Sequence, residues 1–298
     1  VYGLSFVCAL TGTCLFLAWR SRQAMAIVAY SGVIALFWIG GGVLKPIQWV
    51  ASATEEPLTV ALYQPNIPQE HKWSRAWYPR ILAQFESSIG AAYGADIILW
   101  PESAIPDFYE RTRDFLDPIA SEAAASESTL ITGIPMRDAG TRTYYNSIIA
   151  LGQGQGRYDK QRLVPFGEYV PLESWLRGLI EFFDLPMSAF SSGGSDQPLL
   201  QAGAFKVAPF ICYEVVYPDL VASSANNSDL LLTISNDSWF GASIGPLQHL
   251  QMAQMRALEN GRYMLRGTNN GVSAIIDHRG QIQARTEQFA ETTLFGKA

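Results

Sequence analysis

Phe205-Lys206-Val207-Ala208-Pro209-Phe210-Ile211-Cys212-Tyr213-Glu214 is the stretch on which the reading of this chain turns. Its apolar run has the length of a buried strand, and it ends at a thiol followed at once by polar residues. The other two cysteines, Cys8 and Cys14, lie in a long uncharged stretch at the N-terminus. A lone thiol at the end of a buried strand is where an enzyme places a nucleophile; the plain alternative is an inert core cysteine. Candidate partners for the thiol are Glu102, in Leu99-Trp100-Pro101-Glu102-Ser103, and Lys160, in Tyr158-Asp159-Lys160-Gln161-Arg162.

Outward from this strand the pattern repeats. Residues 58–63, 95–100, 129–134, 145–150 and 230–234 read as further strands, and 264–276 and 280–284 have strand character. A helix is expected over 73–93, with Trp77, Ile81, Leu82, Phe85 and Ile89 on one face. Others are expected over 111–125 and over 245–259, where Leu247, Leu250, Met255 and Leu258 share a side. Several strands are apolar throughout, which argues for an α/β domain with buried sheets. Glu102, Cys212 and Asn236 fall at or just after strand ends, where such folds expose chemistry.

The N-terminal region reads differently. Val1 to Trp19 and Ala24 to Leu44 carry no charged residue. A bilayer core of about 30 Å needs about 20 apolar residues in a helix, because backbone polar groups in lipid must bond to one another. Both runs qualify, as a hairpin over 1–44; the alternative is a hairpin buried in a soluble core. The loop between them, Arg20-Ser21-Arg22-Gln23, is short and basic, and such loops stay cytoplasmic. Residues 45–57 then form a linker, and the domain over 58–298 is expected on the far side of the membrane. Val1 lies within an apolar run with no basic stretch before it, so it does not read as a signal peptide. It reads as a start part-way through a longer membrane protein.

The formal net charge of −6 over 298 residues argues against nucleic-acid binding. Three cysteines make no disulfide framework. His71, His249 and His278 have no metal-ligand spacing and read as surface or packing residues; no metal and no cofactor are expected. Arg256, Arg262 and Arg266 fit either a lipid phosphate or simple solvation of a helix and a strand edge.

A thiol attacks a carbonyl carbon as a thiolate. A carboxylate can take its proton, and a fixed ammonium can hold the oxyanion that forms. Glu102, Lys160 and Cys212 supply these three groups. Lys160 near Cys212 is expected to lower the thiol pKa, and the Tyr213 N–H is a candidate second oxyanion donor.

The order Glu, Lys, Cys with these flanks resembles the nitrilase superfamily of carbon–nitrogen hydrolases. The phrases are Trp100-Pro101-Glu102-Ser103-Ala104, Tyr158-Asp159-Lys160, Ile211-Cys212-Tyr213-Glu214 and Asn236-Asp237-Ser238-Trp239-Phe240. The resemblance covers about residues 58–290 and implies a nitrilase-like α-β-β-α sandwich. Within that superfamily, the spanning runs and three more phrases are similar to the apolipoprotein N-acyltransferase family. They are Gln64-Pro65-Asn66-Ile67-Pro68-Gln69, Val164-Pro165-Phe166-Gly167-Glu168-Tyr169-Val170-Pro171 and Asn269-Asn270-Gly271-Val272-Ser273. This second resemblance implies a bacterial inner-membrane, multi-pass acyltransferase whose catalytic domain is periplasmic. The acyl donor would be a phospholipid, and the acceptor the diacylglyceryl-cysteine N-terminus of an apolipoprotein. It implies a further essential acid at Glu168, and substrate handling or catalysis at Trp73, Tyr213 and Glu214.

Trp239 and Phe240 fit either the lining of an acyl pocket or the core. The apolar stretch Trp175 to Phe190 fits either a lid at the membrane surface or a core helix. The family has more membrane helices before this region and one after it, so the chain reads as a fragment. A membrane-tethered amidase and a non-catalytic binding module are the competing functions.

Overall fold

The charge-free runs and the alternating strands fold as separate bodies. The computed structural model describes residues 2–51, 56–138, 140, 143–165, 167–169 and 190–298. The chain divides into two compact units, Val1–Ser52 and Ala53–Ala298.

The first unit is a pair of helices, Tyr2–Arg20 and Ala24–Leu44. Both are long and apolar enough to cross a membrane, with mean hydropathy 1.6 and 2.0. Only 6% and 0% of their apolar windows is buried. The two helices pack on each other. Trp38 Nε1 donates to Thr11 Oγ1 at 3.0 Å, and Cys14 is buried.

The second unit is built from β1 (Thr59–Gln64), β2 (Ile97–Leu99), β3 (Thr129–Arg137), β4 (Tyr144–Gly152), β5 (Gly154–Gln155), β6 (Arg157–Asp159), β7 (Leu200–Ala202), β8 (Phe205–Ile211), β9 (Leu230–Ser235), β10 (Met264–Thr268), β11 (Ala274–Ile276), β12 (Ile282–Arg285) and β13 (Thr292–Lys297). They form two sheets, ordered β13-β1-β2-β3-β4-β6 and β12-β11-β10-β9-β8-β7-β5. The centre of each is parallel, β1-β2-β3 in one and β8-β9-β10 in the other.

Strand periodicity sorts the apolar residues into layers, because successive side chains point to opposite faces. Val60, Leu62, Ile97 and Leu99 of the first sheet meet Val207, Ile211, Leu232 and Ile234 of the second. Their neighbours Ala61, Tyr63 and Ile98 turn outward onto Ile81, Phe85, Leu116 and Ile119, which lie on helices Tyr78–Ile89 and Arg113–Ala125. On the other side Ala208, Phe210 and Leu231 meet Val221, Leu250 and Ala253, from helices Pro218–Ala225 and Gly245–Asn260. The expected α-β-β-α sandwich is therefore the fold of this unit, and burial on both faces explains the uninterrupted apolar strands.

Local differences have local causes. The helix expected over 73–93 is shorter: it runs from Tyr78 to Ile89, and a separate short turn, Gln69–Lys72, precedes it. Pro79, in its first turn, is suited to a helix start and not to an interior. The run 264–276 is two antiparallel strands, because Asn269 to Ser273 reverses the chain between β10 and β11. The strand β13 was not expected from sequence. It pairs antiparallel with β1 from Thr59↔Lys297 to Gln64↔Thr292. Leu58 and Ala298 then exchange both backbone hydrogen bonds, at 3.0 and 2.9 Å. The apolar segment 175–190 lies outside the described residues except for Phe190.

Candidate active site

Four strands deliver chemistry at their C-terminal ends. Glu102 follows β2, Lys160 follows β6, Cys212 follows β8 and Asn236 follows β9. The Glu102 turn is held against β3 by backbone bonds from Gly133 to Pro101 (3.3 Å) and from Ala104 to Gly133 (2.8 Å). Residue 133 has to be glycine for this approach, since a Cβ there would stand 2.7 Å from the Glu102 Cα. Ser103 and Cys212 both adopt left-handed backbone, with φ of 47° and 54°. For such residues that conformation costs of order 1–3 kcal/mol and persists only where the surroundings enforce it.

The charged groups converge. Lys160 Nζ lies 2.8 Å from Glu168 Oε1 and 3.6 Å from Glu102 Oε1, with all three side chains nearly sealed from solvent. Asn146, from the middle of β4, bridges the same two carboxylates, donating to Glu102 Oε1 at 2.8 Å and to Glu168 Oε1 at 3.0 Å. The second oxygen of each accepts a backbone N–H, from Asn236 to Glu102 and from Val164 to Glu168. Burial by itself would lower the Lys160 pKa, but the Glu102 and Glu168 carboxylates outweigh it and hold the ammonium above the usual lysine range.

Cys212 interacts electrostatically with this cluster. Burial pushes its thiol well up, Glu102 adds to the rise and Lys160 opposes it. The lowering expected from Lys160 is present as one contribution. Burial and the neighbouring carboxylates prevail instead, so the resting sulfur is a protonated thiol that needs a base.

Glu214 is fully buried. Its carboxylate accepts from Ile211 N–H at 2.8 Å, Gln161 N–H at 2.7 Å, Arg162 N–H at 3.0 Å and Tyr158 Oη at 3.0 Å. It joins the Cys212 turn to the Lys160 turn from a fully buried position. Burial raises its pKa, opposed by Lys160 and these backbone donors. Tyr213 and Trp239 are, by contrast, 41% and 61% exposed. The core alternative for Trp239 therefore falls, and Phe240 is exposed beside it. Trp73 caps the short turn at 69–72, and its Nε1 is buried with no hydrogen-bond partner among the described residues.

Sequence reasoning missed a second layer behind the thiol. His249 Nε2 is 3.0 Å from the Cys212 carbonyl oxygen, and its Nδ1 is 3.0 Å from Asp237 Oδ1. Asp237 Oδ2 accepts from Arg266 Nη2 at 2.7 Å, and both of these side chains are fully buried. Arg266 is thus an internal cation and not a lipid-phosphate contact. Arg256 is likewise buried, against Glu259 and the Val216 carbonyl. Arg266 lies on an apolar strand and Asn146 beside Ser147 on another. An uncompensated polar side chain in such a strand is costly, and that was the available signal.

Burial raises the Asp237 pKa, but Arg266 and His249 overcome it and hold the group down to about 2, against an ordinary 3.8. A carboxyl depressed in the folded state stabilises the fold above its unfolded pKa. The contribution disappears as pH falls through the folded value. Asp237→Asn is accordingly expected to lower stability by at least about 2 kcal/mol at neutral pH. The gap to the parent should close between about pH 4 and pH 2, as read by urea melts across that range.

The sequence profile of the carbon-nitrogen hydrolase family matches residues 59–297. The chain belongs to this family. As a carbon-nitrogen hydrolase it shares its fold with a nitrilase-superfamily member of Saccharomyces cerevisiae, Nit3 (TM-score 0.60, 19% identity, 83% of this chain and 92% of that one). A carbon-nitrogen hydrolase of Helicobacter pylori is similar too (TM-score 0.60, 14% identity, 81% and 88%). Nearer in sequence are curated relatives named apolipoprotein N-acyltransferase. That of Pseudomonas putida is 49% identical over 100% of this chain and 59% of its own length. That of Shewanella oneidensis is 41% identical over 96% and 57%. This carbon-nitrogen hydrolase therefore spans under three fifths to about three fifths of the length of these relatives.

Proposed function

We propose that this chain is the catalytic part of an apolipoprotein N-acyltransferase, with Cys212 as nucleophile, Glu102 as general base and Lys160 as oxyanion holder. The reading rests on one observation above all. A strained, strand-end, partly buried thiol interacts electrostatically with a carboxylate that already accepts two hydrogen bonds and lies 3.6 Å from a cation.

In the first step Glu102 takes the Cys212 proton and sulfur attacks the ester carbonyl of a phospholipid. Lys160 and the Tyr213 N–H hold the oxyanion. The C–O bond breaks, Glu102 returns the proton to the departing lysophospholipid, and a thioester remains. In the second step the free α-amino group of a diacylglyceryl-cysteine attacks the thioester. Glu102 takes its proton, the amide bond forms, the C–S bond breaks, and the proton passes to Cys212. Covalent catalysis divides one hard transfer into two easier ones. Glu168 acts by fixing Lys160, and Asn146 by fixing both carboxylates.

Lipid substrates suit the surroundings. Tyr213, Trp239, Phe240, Ile244 and Leu247 are exposed apolar residues on the segments that carry Cys212 and Asn236 or directly follow them. Trp73, whose Nε1 has no partner among the described residues, suits a polar group of substrate. Helices Tyr2–Arg20 and Ala24–Leu44 would span a bacterial inner membrane, with Arg20 and Arg22 cytoplasmic and residues 58–298 periplasmic.

The test is mass spectrometry of the chain in detergent after incubation with phospholipid. The expected product is an acyl adduct on the Cys212 peptide, released by hydroxylamine and discharged to a diacylglyceryl-cysteine peptide. Turnover of small amides without the adduct would replace this reading with an amidase. Neither adduct nor turnover would leave a binding module.

A further inference from the structure

Lys72 is a buried cation to which the acyl-transfer scheme gives no task. It ends the short turn Gln69–Lys72 and is 2% exposed. Its Nζ donates to the backbone carbonyl oxygen of Glu102 at 2.8 Å. Charged groups buried without compensation are strongly destabilising, so a lysine sealed against a backbone carbonyl calls for a further role. The ionisable groups with which it interacts electrostatically are Glu102, on the turn after β2, and Cys212, on the turn after β8. Lys160 and Glu168 complete the charged set around the Glu102 carboxylate. On its own turn, His71 is occupied by stacking on Trp77, with ring centroids 3.8 Å apart, and Glu70 is its remaining ionisable neighbour.

Charge balance gives that role a form. When the thiol proton moves to Glu102, one negative charge moves to sulfur while Glu168 keeps its own. Lys160 can balance one of the two. Lys72, which interacts electrostatically with both Glu102 and Cys212, supplies a second positive charge, and without it the thiolate forms with one carboxylate unbalanced.

We propose that Lys72 is a positioning residue for the nucleophile: it pins the Glu102 turn through its carbonyl and, as an ammonium, balances the charge that arrives on Cys212. This rests on the reading of Cys212 as nucleophile. Burial lowers the Lys72 pKa to about 8 although Glu102 and Cys212 favour its charged form. The device thus loses its charge in mildly alkaline solution.

Alkylation by iodoacetamide, followed on the Cys212 peptide of the whole chain in detergent, tests the proposal without any acyl substrate. In the parent the rate is expected to climb tenfold per pH unit and to level near pH 8, because the next proton lost comes from Lys72 and not from sulfur. Lys72→Met should react at least about tenfold more slowly at neutral pH, and its rate should climb with no break. A folded Lys72→Met, checked by its melting curve, with the parent's rate and break would overturn the proposal. Should that variant not fold, the parent profile decides alone, and an unbroken climb through pH 8 overturns it. A parent in which exposed Cys8 reacts and Cys212 stays inert at every pH would instead overturn the nucleophile reading, and this inference with it.

Discussion

On the proposed mechanism, Lys160→Met is expected to abolish measurable acyl transfer and to lower the melting temperature together. The substitution keeps the apolar stem and removes the ammonium between Glu102 and Glu168. Two buried carboxylates then remain on either side of Asn146 with no cation at 2.8 and 3.6 Å. Removing one partner of a buried ion pair typically costs about 3–5 kcal/mol, because the other charge is left uncompensated. The loss of an oxyanion donor costs about 10²–10³ in rate on its own. Displacement of Glu102 multiplies that loss. Both effects are read from thermal melts and from the rate of adduct formation on Cys212. Unchanged stability with full adduct formation would remove Lys160 from the site. The raised pKa of Lys160 also means that its charge persists as pH rises well beyond the ordinary lysine range, so this contribution is constant over any practical assay range.

Glu102→Gln should separate the two effects. Glutamine is the same size and still fills the pocket. One of its ends must present an amide to a donor, either Asn236 N–H or the Asn146 amide. One hydrogen bond to a buried charged group is therefore lost, at about 1.5–3 kcal/mol, while Lys160 keeps Glu168 at 2.8 Å. In the proposed scheme the general base is gone altogether, and activity is expected to fall by about 10²–10⁴. Because the resting thiol is protonated, both half-reactions should slow: adduct formation on Cys212 and discharge of a preformed adduct. A stopped time course with phospholipid, then with acceptor peptide, measures each. Normal adduct formation in this variant would mean that Cys212 finds another base.

The sandwich was legible because burial on both faces leaves apolar strands with little alternation, and those runs are visible in the chain. Cys212 and Glu102 were legible for a related reason, since each stands where an apolar strand stops, whereas Lys160 follows the polar strand Arg157–Asp159 and stood out only by its phrase Tyr158-Asp159-Lys160. The supporting residues were not. Lys72 reaches Glu102 across 30 positions, Asn146 across 44 and Asn236 across 134. Nothing local to Lys72 distinguishes it from a solvated lysine. His249 sits on a helix face that reads as ordinary packing, and only the approach of Cys212 and Asp237 gives it a role. The net direction of the Cys212 shift was also out of reach, since it depends on how completely the pocket excludes water. Strand β13 escaped because an edge strand carries no doubly apolar signature, and its partner β1 lies at the opposite end of the unit's sequence.

That pairing has a mechanical consequence. Leu58 and Ala298 sit side by side at the same end of an antiparallel ribbon. A globule whose entrance and exit coincide behaves as a cassette, able to hang from a host polypeptide without stretching it. The same geometry sets its weakness. Tension applied between the two ends loads the rungs one at a time, from Thr59↔Lys297 inward to Gln64↔Thr292, so the ribbon unzips instead of shearing as a block.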